Sequence, residues 1–258
     1  MKILDIDLDF FLNNKHCGTV TSVRRLNSQN YKPWTTSAVE EFLEQNCGLN
    51  KTTKLSGKCF VHHVEVFHFL RDLQEKKNFS LTFDIDHLDA HGDLGTGDAS
   101  YIYIATSILS KPINERAYPD KINGWEGLSS GNFLAFAIAC RWIDSLKYIN
   151  NIEWTDDTQW FNFKEFDTEG NVIQLKLFSE SQMDKIINGN NGDMMEMAKS
   201  IIPLAYEPEI LFSVIDYRTF KNTDKYDLIF LTQSPGFTPK LSDNLIPIIK
   251  QYININEI

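Results

Sequence analysis

Near its start the chain runs Leu4-Asp5-Ile6-Asp7-Leu8-Asp9-Phe10-Phe11, and no other stretch limits its fold so tightly. Residues two apart on a strand share a face, so a strand here points Asp5, Asp7 and Asp9 the same way. Three neighbouring carboxylates repel one another, and an apolar strand does not solvate them. Something positive has to compensate, and a divalent cation is the economical candidate. The plain alternative is a strand end whose aspartates are solvated in a turn. An EF-hand loop does not fit, because Phe10 stands where it needs glycine and no glutamate falls at its twelfth position.

Two further segments carry metal-ligand chemistry. After an apolar stretch ending at Ile85 comes His87-Leu88-Asp89-Ala90-His91-Gly92-Asp93-Leu94-Gly95. Its Asp-x-His-x-Asp spacing at a strand end aims two carboxylates and an imidazole at one point, with Gly92 and Gly95 allowing a tight backbone. Mixed oxygen and nitrogen donors suit Mn, Fe, Co or Zn better than Ca or Mg. The third segment, His62-His63-Val64-Glu65, opens a helix and offers His63 as another nitrogen donor. The bland readings are a polar turn and a surface or capping histidine. Together the segments supply Asp5, Asp7, His63, Asp89, His91 and Asp93. Two nitrogens and four carboxylates match two divalent ions sharing a bridging carboxylate and an acidified water, which points to hydrolysis at carbon or phosphorus.

The rest of the chain reads as alternating strands and helices. Strands are expected at 2–11, 80–85, 210–215 and 227–232. Helices are expected from Ser37, through a Ser37/Glu40 capping box, to Gly48, and at 63–77, 99–110, 132–147, 194–201 and 241–252. Residues 154–166 and 172–178 read as strands of an antiparallel excursion, and 188–192 as a loop between helices. This alternation predicts one α/β domain over residues 1–258 with a mainly parallel sheet. At 258 residues with 18 Phe, 9 Tyr and 5 Trp there is ample core, so general disorder is excluded.

The balance of 35 acidic to 25 basic residues gives a formal charge of −10. Such a chain is poorly suited to nucleic-acid backbones and better suited to cations, whether metals or basic substrates. The longest apolar stretch, 133–140, is far too short to span a bilayer, and three aspartates in the first nine residues do not fit a signal peptide. Cys17, Cys47, Cys59 and Cys140 form no Cys-x-x-Cys pair and read as reduced thiols, consistent with a cytoplasmic location.

Asp89-Ala90-His91-Gly92-Asp93 resembles the DAHxD motif of arginases and agmatinases, and Asp5-Ile6-Asp7 resembles their DxD motif. His63 stands for the histidine of their GGDH motif, without its glycines. A closer resemblance is to an arginase-like family marked by LDIDLDFF, HHxE and DAHxDLG segments, a GNxLAFAIACRW helix and SPGFTP. All five occur here, at 4–11, 62–65, 89–95, 131–142 and 234–239, so the likeness spans nearly the whole chain. That family includes peptide arginases of ribosomal peptide natural-product pathways.

The resemblance implies a three-layer α/β/α arginase-like fold and a hydrolase holding two Mn²⁺ ions. Its substrate would be an arginine-containing precursor peptide, converted to ornithine and urea by metal-bridging hydroxide. It implies Asp5, Asp7, His63, Asp89, His91 and Asp93 as the manganese ligands, with Asp5 and Asp89 bridging. Asp93 and His91 are implied as catalytic, Asp93 passing a proton to the leaving amine. Glu65, Asp9 and Asp98 are alternative partners for the guanidinium, and Ser130-Gly131-Asn132 resembles an arginase segment that contacts substrate through its Asn. Leu134 stands where arginases have a proton-shuttling His. Here the DxD strand precedes DAHxD, whereas arginases have the reverse, so the motif order is permuted. Asp84, Asp86 and His87 read as locally solvated groups, and His16 and His68 as bystanders. The competing readings are a lysine deacylase on the same fold, a haloacid-dehalogenase-like phosphohydrolase with Asp5 as nucleophile, and a non-catalytic metal-stabilised binder.

Overall fold

The structure is a computed structural model that describes residues 1–14, 24–121, 126–151, 157–189 and 193–255. Ten strands occur among them: β1 Lys2–Asp7, β2 Leu55–Phe60, β3 Phe83–Asp89, β4 Ile143–Asn150, β5 Val172–Ile173, β6 Lys176–Leu177, β7 Ala205–Tyr206, β8 Ile210–Asp216, β9 Leu228–Thr232 and β10 Ile253–Asn254. The α-helices are α1 Thr36–Gln45, α2 Val64–Lys76, α3 Ser100–Tyr103, α4 Ile113–Arg116, α5 Phe133–Ala139, α6 Glu180–Ile187, α7 Met194–Ser200 and α8 Ile246–Ile249. Eight strands form one sheet in the order β10-β2-β9-β1-β3-β4-β8-β5. Every neighbouring pair is parallel except β5 on β8. A separate antiparallel pair joins β6 and β7.

Central strands of such a sheet are apolar on both faces because helices cover both. On one face Ile3, Ile85, Leu146 and Phe230 pack with Val66, Phe67 and Leu70 of α2 and with all of α5. On the other, Leu4, Ile6, Leu88, Ile149 and Ile229 pack with Val39, Phe42 and Leu43 of α1 and Ile249 of α8. The expected α/β class with a mainly parallel sheet between helical layers is therefore present.

Chain direction creates a crevice. β1 leads through α1 to β2, on one side of it. β3, hydrogen-bonded to β1 on the other side, leads through α3, α4 and α5 onward to β4. The connections diverge at the C-terminal ends of β1 and β3, the usual ligand position in open α/β sheets.

Several elements depart from the sequence reading. The first strand stops at Asp7, and residues 8–11 turn as a 3₁₀ helix whose first turn Asp7 caps, its Oδ1 accepting the Asp9 backbone N–H at 3.2 Å. The helix expected at 132–147 ends at Ala139; Arg141 takes a φ of 59°, and β4 follows as a central strand. Residues 99–110 form only a short α-helix followed by a π turn, Ile104–Ile108. Residues 160–166 are 3₁₀ turns rather than strand, while 152–156 lie outside the described residues. The 172–178 strand divides into β5 and β6, in different sheets. The closing helix is broken into 3₁₀ and α pieces, with Pro247 in the first turn of α8. Thr35, not Ser37, caps α1. Of the expected 188–192 loop, Asn188 caps the end of α6, and 190–192 lie outside the described residues. No helix among the described residues is long and apolar enough to cross a membrane. Cys47, Cys59 and Cys140 are free thiols, and Cys17 lies outside the described residues.

Candidate metal centre

Strand parity brings the site together. On β1, Ile3 faces the α2/α5 core, and Asp5 and Asp7 follow it on the same side toward the strand end. On β3, Ile85 is followed in the same way by His87 and Asp89, and Asp5 lies directly across from His87 in the register. Beyond β3, the 90–95 loop carries His91 and Asp93. His63 arrives from β2 as the residue that starts α2, and the Val64 N–H beside it donates to Ser130 Oγ at 3.2 Å. Asp9 enters from the 3₁₀ turn after β1.

The loop is tightly held. Gly95 takes a φ of +84°, and a Cβ there would lie 2.5 Å from Ser100 Oγ, so only glycine fits. Its N–H donates to Gly131 O at 2.9 Å, and Asn162 donates to Leu94 O at 2.9 Å. Asp93 has a φ of 47° and Ser234 one of 43°, so both edges of the site use the left-handed region. The Ser234 hydroxyl donates to Asp7 Oδ2, which gives the SPGFTP segment a contact with the site.

The centre is built around two imidazoles and a shared carboxylate. His63 Nε2 lies 3.0 Å from Asp5 Oδ2. His63 Nδ1 lies 3.0 Å from Asp7 Oδ2, 3.1 Å from Asp89 Oδ2 and 3.0 Å from Asp93 Oδ2. One ring nitrogen has a single hydrogen or a single lone pair, so it cannot bond three carboxylates. Ligand atoms about 2.1 Å from one ion and at right angles are about 3 Å apart, which is the spacing around Nδ1. Asp89 turns its other oxygen to a second group: Asp89 Oδ1 lies 3.5 Å from His91 Nδ1, which is 3.0 Å from Asp9 Oδ2. Asp89 thus faces both nitrogen sides at once. These residues form several groups with donor atoms close enough to hold a metal ion.

Burial sharpens the case. Asp5, Asp7, Asp9, His63, His87, Asp89 and Asp93 are all buried, and only His91, with 24% of its side chain exposed, reaches solvent appreciably. Asp5 Oδ1, His63 Nδ1, His87 Nε2 and Asp89 Oδ2 are buried without a hydrogen-bond partner. Buried polar atoms are seldom left so, and four in one cluster fit a cation placed among them.

The carboxylates titrate in opposite directions. Burial raises the Asp5 carboxyl, but His63 and His87 outweigh it and hold it down to about 2. Burial likewise opposes ionisation of Asp89, and His63, His91 and His87 keep it well below the ordinary range. Burial together with the charges of Asp7 and Asp89 pushes Asp9 well up, and burial with Asp89 pushes Asp93 up to about 6. Despite burial, neighbouring carboxylates hold the His63, His87 and His91 imidazoles above their usual range. The protein alone therefore gathers protons where it lacks positive charge.

The structure brings together all six metal-ligand candidates, Asp5, Asp7, His63, Asp89, His91 and Asp93, and adds two residues. Asp9, a guanidinium candidate in the sequence, instead sits inside the cluster; its Oδ1 also accepts the Ala90 N–H at 3.3 Å. His87 is buried in the centre rather than solvated. Asp86 is buried too, bonded by the Tyr226 hydroxyl at 2.7 Å, whereas Asp84 is exposed and accepts from Ser145. The remaining substrate candidates hold local structure. Glu65 accepts the His62 N–H at the start of α2. Asp98 accepts from the Ser100 N–H and from Asn132, whose amide hydrogens are committed to Asp98 and Gly127 O. His68 is exposed on α2, and His16 lies outside the described residues.

Among known proteins, the chain matches no protein-family model, no curated protein and no solved structure.

Proposed function

We propose that this chain is a metal-dependent hydrolase with a permuted arginase-like fold, holding two Mn²⁺-type ions and converting arginine side chains of a peptide to ornithine and urea. The observation that carries the metal part is His63 Nδ1, facing three carboxylate oxygens that it cannot all hydrogen-bond, while Asp89 turns its second oxygen to the His91 side. One ion would be held by His63, Asp7, Asp89 and Asp93, and a second by Asp9, Asp89 and His91. Asp5 stands behind His63 as the carboxylate that fixes the Nε2–H tautomer and turns the Nδ1 lone pair inward. On this reading the ligand pair implied by the resemblance would shift from Asp5 and Asp7 to Asp7 and Asp9, with Asp89 common to both sets.

When bound, such ions activate water and stabilise the charge that develops at the attacked carbon. The chain does the rest. Burial of seven of the eight side chains keeps bulk water away, and the partly exposed His91, beside the Phe237 ring at 5.0 Å, marks the open side from which substrate arrives. His91 and Asp93 are the proton-handling groups. As the bond from the guanidinium carbon to the side-chain nitrogen breaks, Asp93 would pass to that nitrogen the proton it takes from the attacking oxygen, giving urea and a neutral amine. The acidic chain favours a cationic side chain. The guanidino and peptide parts rest on the motif resemblance.

The phosphohydrolase alternative needs Asp5 as an open nucleophile, but Asp5 is 1% exposed and tied to two imidazoles. A non-catalytic binder differs in turnover rather than in metal, and a lysine deacylase differs in the bond it hydrolyses and in keeping fewer of these ligands. Mass spectrometry of the Mn²⁺-loaded protein with arginine peptides and free arginine, with Asp89→Ala as control, decides. The proposal expects a mass loss matching arginine to ornithine in peptide only. No change with any substrate would overturn it.

A further inference from the structure

His87 has no role in the motifs discussed above, yet its placement repeats that of His63. One oxygen, Asp5 Oδ2, lies 3.0 Å from His63 Nε2 and 2.9 Å from His87 Nδ1. Each imidazole therefore keeps one N–H on the same carboxylate and turns its other nitrogen inward. The inward nitrogens converge, His63 Nδ1 at 3.1 Å and His87 Nε2 at 3.4 Å from the same Asp89 Oδ2. His87 is 0% exposed, and its Nε2 has no hydrogen-bond partner. Its donors also group with Asp89 and Asp93 within metal-holding distance, and with Asp5 and His63. The ring is fixed in this pose: Asp5 holds one edge, Tyr148 packs at 5.9 Å and Phe133 at 6.2 Å between ring centres.

A carboxylate that orients an imidazole so that its far lone pair meets an ion is the usual support for a histidine ligand. A clamp in which His87 donates to both Asp5 and Asp89 would also bury the ring, but it requires a hydrogen bond at Nε2, and none is made. We propose that His87 is a ligand, through Nε2, to the same ion as His63, with Asp5 as the common support of both rings. The inference rests on the metal-centre reading above and adds a second imidazole to its first ion.

The test is proton NMR of the Co²⁺-loaded protein, in which N–H protons of bound imidazoles are shifted far outside the ordinary range. His63 and His87 each bury an N–H on Asp5, so two slowly exchanging shifted signals are expected. The more exposed His91 exchanges faster. His87→Gln should leave one such signal and weaken Co²⁺ binding at least about tenfold. Two signals in His87→Gln with unchanged affinity, or a single slowly exchanging signal in the loaded wild type, would overturn the assignment. The wild-type spectrum decides alone if the variant fails to fold. A wild type that takes up no Co²⁺ would instead overturn the metal centre itself.

Discussion

Without metal, the protein is expected to lose stability as pH rises toward neutrality, and a divalent ion is expected to restore it. Asp93 sets the scale, its pKa rising from 3.8 to about 6 through burial and Asp89. A group with a raised folded pKa contributes stability that is complete below its unfolded pKa and is lost as pH passes its folded pKa. A shift of that size corresponds to about 3 kcal/mol lost between pH 4 and 7. Asp9 has the same sign and adds to the loss, and so do His63, His87 and His91 above their ordinary range. Asp5, held down to about 2, has the opposite sign, but its window lies below 3.8, so its contribution stays constant through neutrality. For a chain this long, Asp93 alone lowers Tm by roughly 6–12 °C across that range. An ion at a hundred times its Kd returns about 3 kcal/mol. Because its ligands must shed protons, the gain is larger at higher pH. Thermal unfolding with a chelator and with Mn²⁺, followed from about pH 5 to 7.5, reads both effects. A metal-free midpoint that is level or rising over this range, or a Mn²⁺ gain equal at both ends, would refute the reasoning.

Asp89→Ala and His91→Ala should each abolish turnover and lower bound metal in elemental analysis; full metal content with full activity in either is inconsistent with the centre. Asp5→Asn should keep a metal-binding site but weaken it about 10–100-fold by titration calorimetry, since it removes the orienting carboxylate rather than a ligand. Gly95→Ala should cost about 2 kcal/mol in denaturant unfolding, because it forces a side chain into a left-handed φ and against Ser100 Oγ. Leu134→His should destabilise by about 3 kcal/mol without raising activity, since Leu134 is fully buried in the α2/α5 core.

Much of the site was legible because strand parity is a strict rule. Asp5 and Asp7, two apart on an apolar strand, needed only that rule, whereas His91 and Asp93, on the loop after β3, were legible from donor type and their spacing from Asp89. His87 was missed because the sequence reading ended β3 at Ile85, whereas the strand runs to Asp89 and places His87 on the face of Asp89. Asp9 was placed on the strand, and its role depends on the 3₁₀ turn that Asp7 caps, a local competition invisible to periodicity. β4 was absorbed into a helix because a long apolar run fits a buried helix and a buried strand alike. The break between them is the Arg141 turn, whose residue type gives no warning. β2 was overlooked because Leu55-Ser-Gly-Lys-Cys-Phe lacks alternation. Its Gly57 is needed for packing, since a Cβ there would lie 2.1 Å from Ile229 O. Sheet order, which creates the crevice between β1 and β3, follows from long-range pairing that no local pattern contains.

The proposed centre is a buried pair of cations sharing Asp89. Anomalous diffraction from crystals soaked in Mn²⁺ tests it most directly. The expected result is two peaks about 3.5–4 Å apart on either side of the Asp89 carboxylate, one beside His63 Nδ1 and one beside His91 Nδ1. No peak at this crevice, or a single peak that leaves His63 Nδ1 facing its three carboxylates, would contradict it.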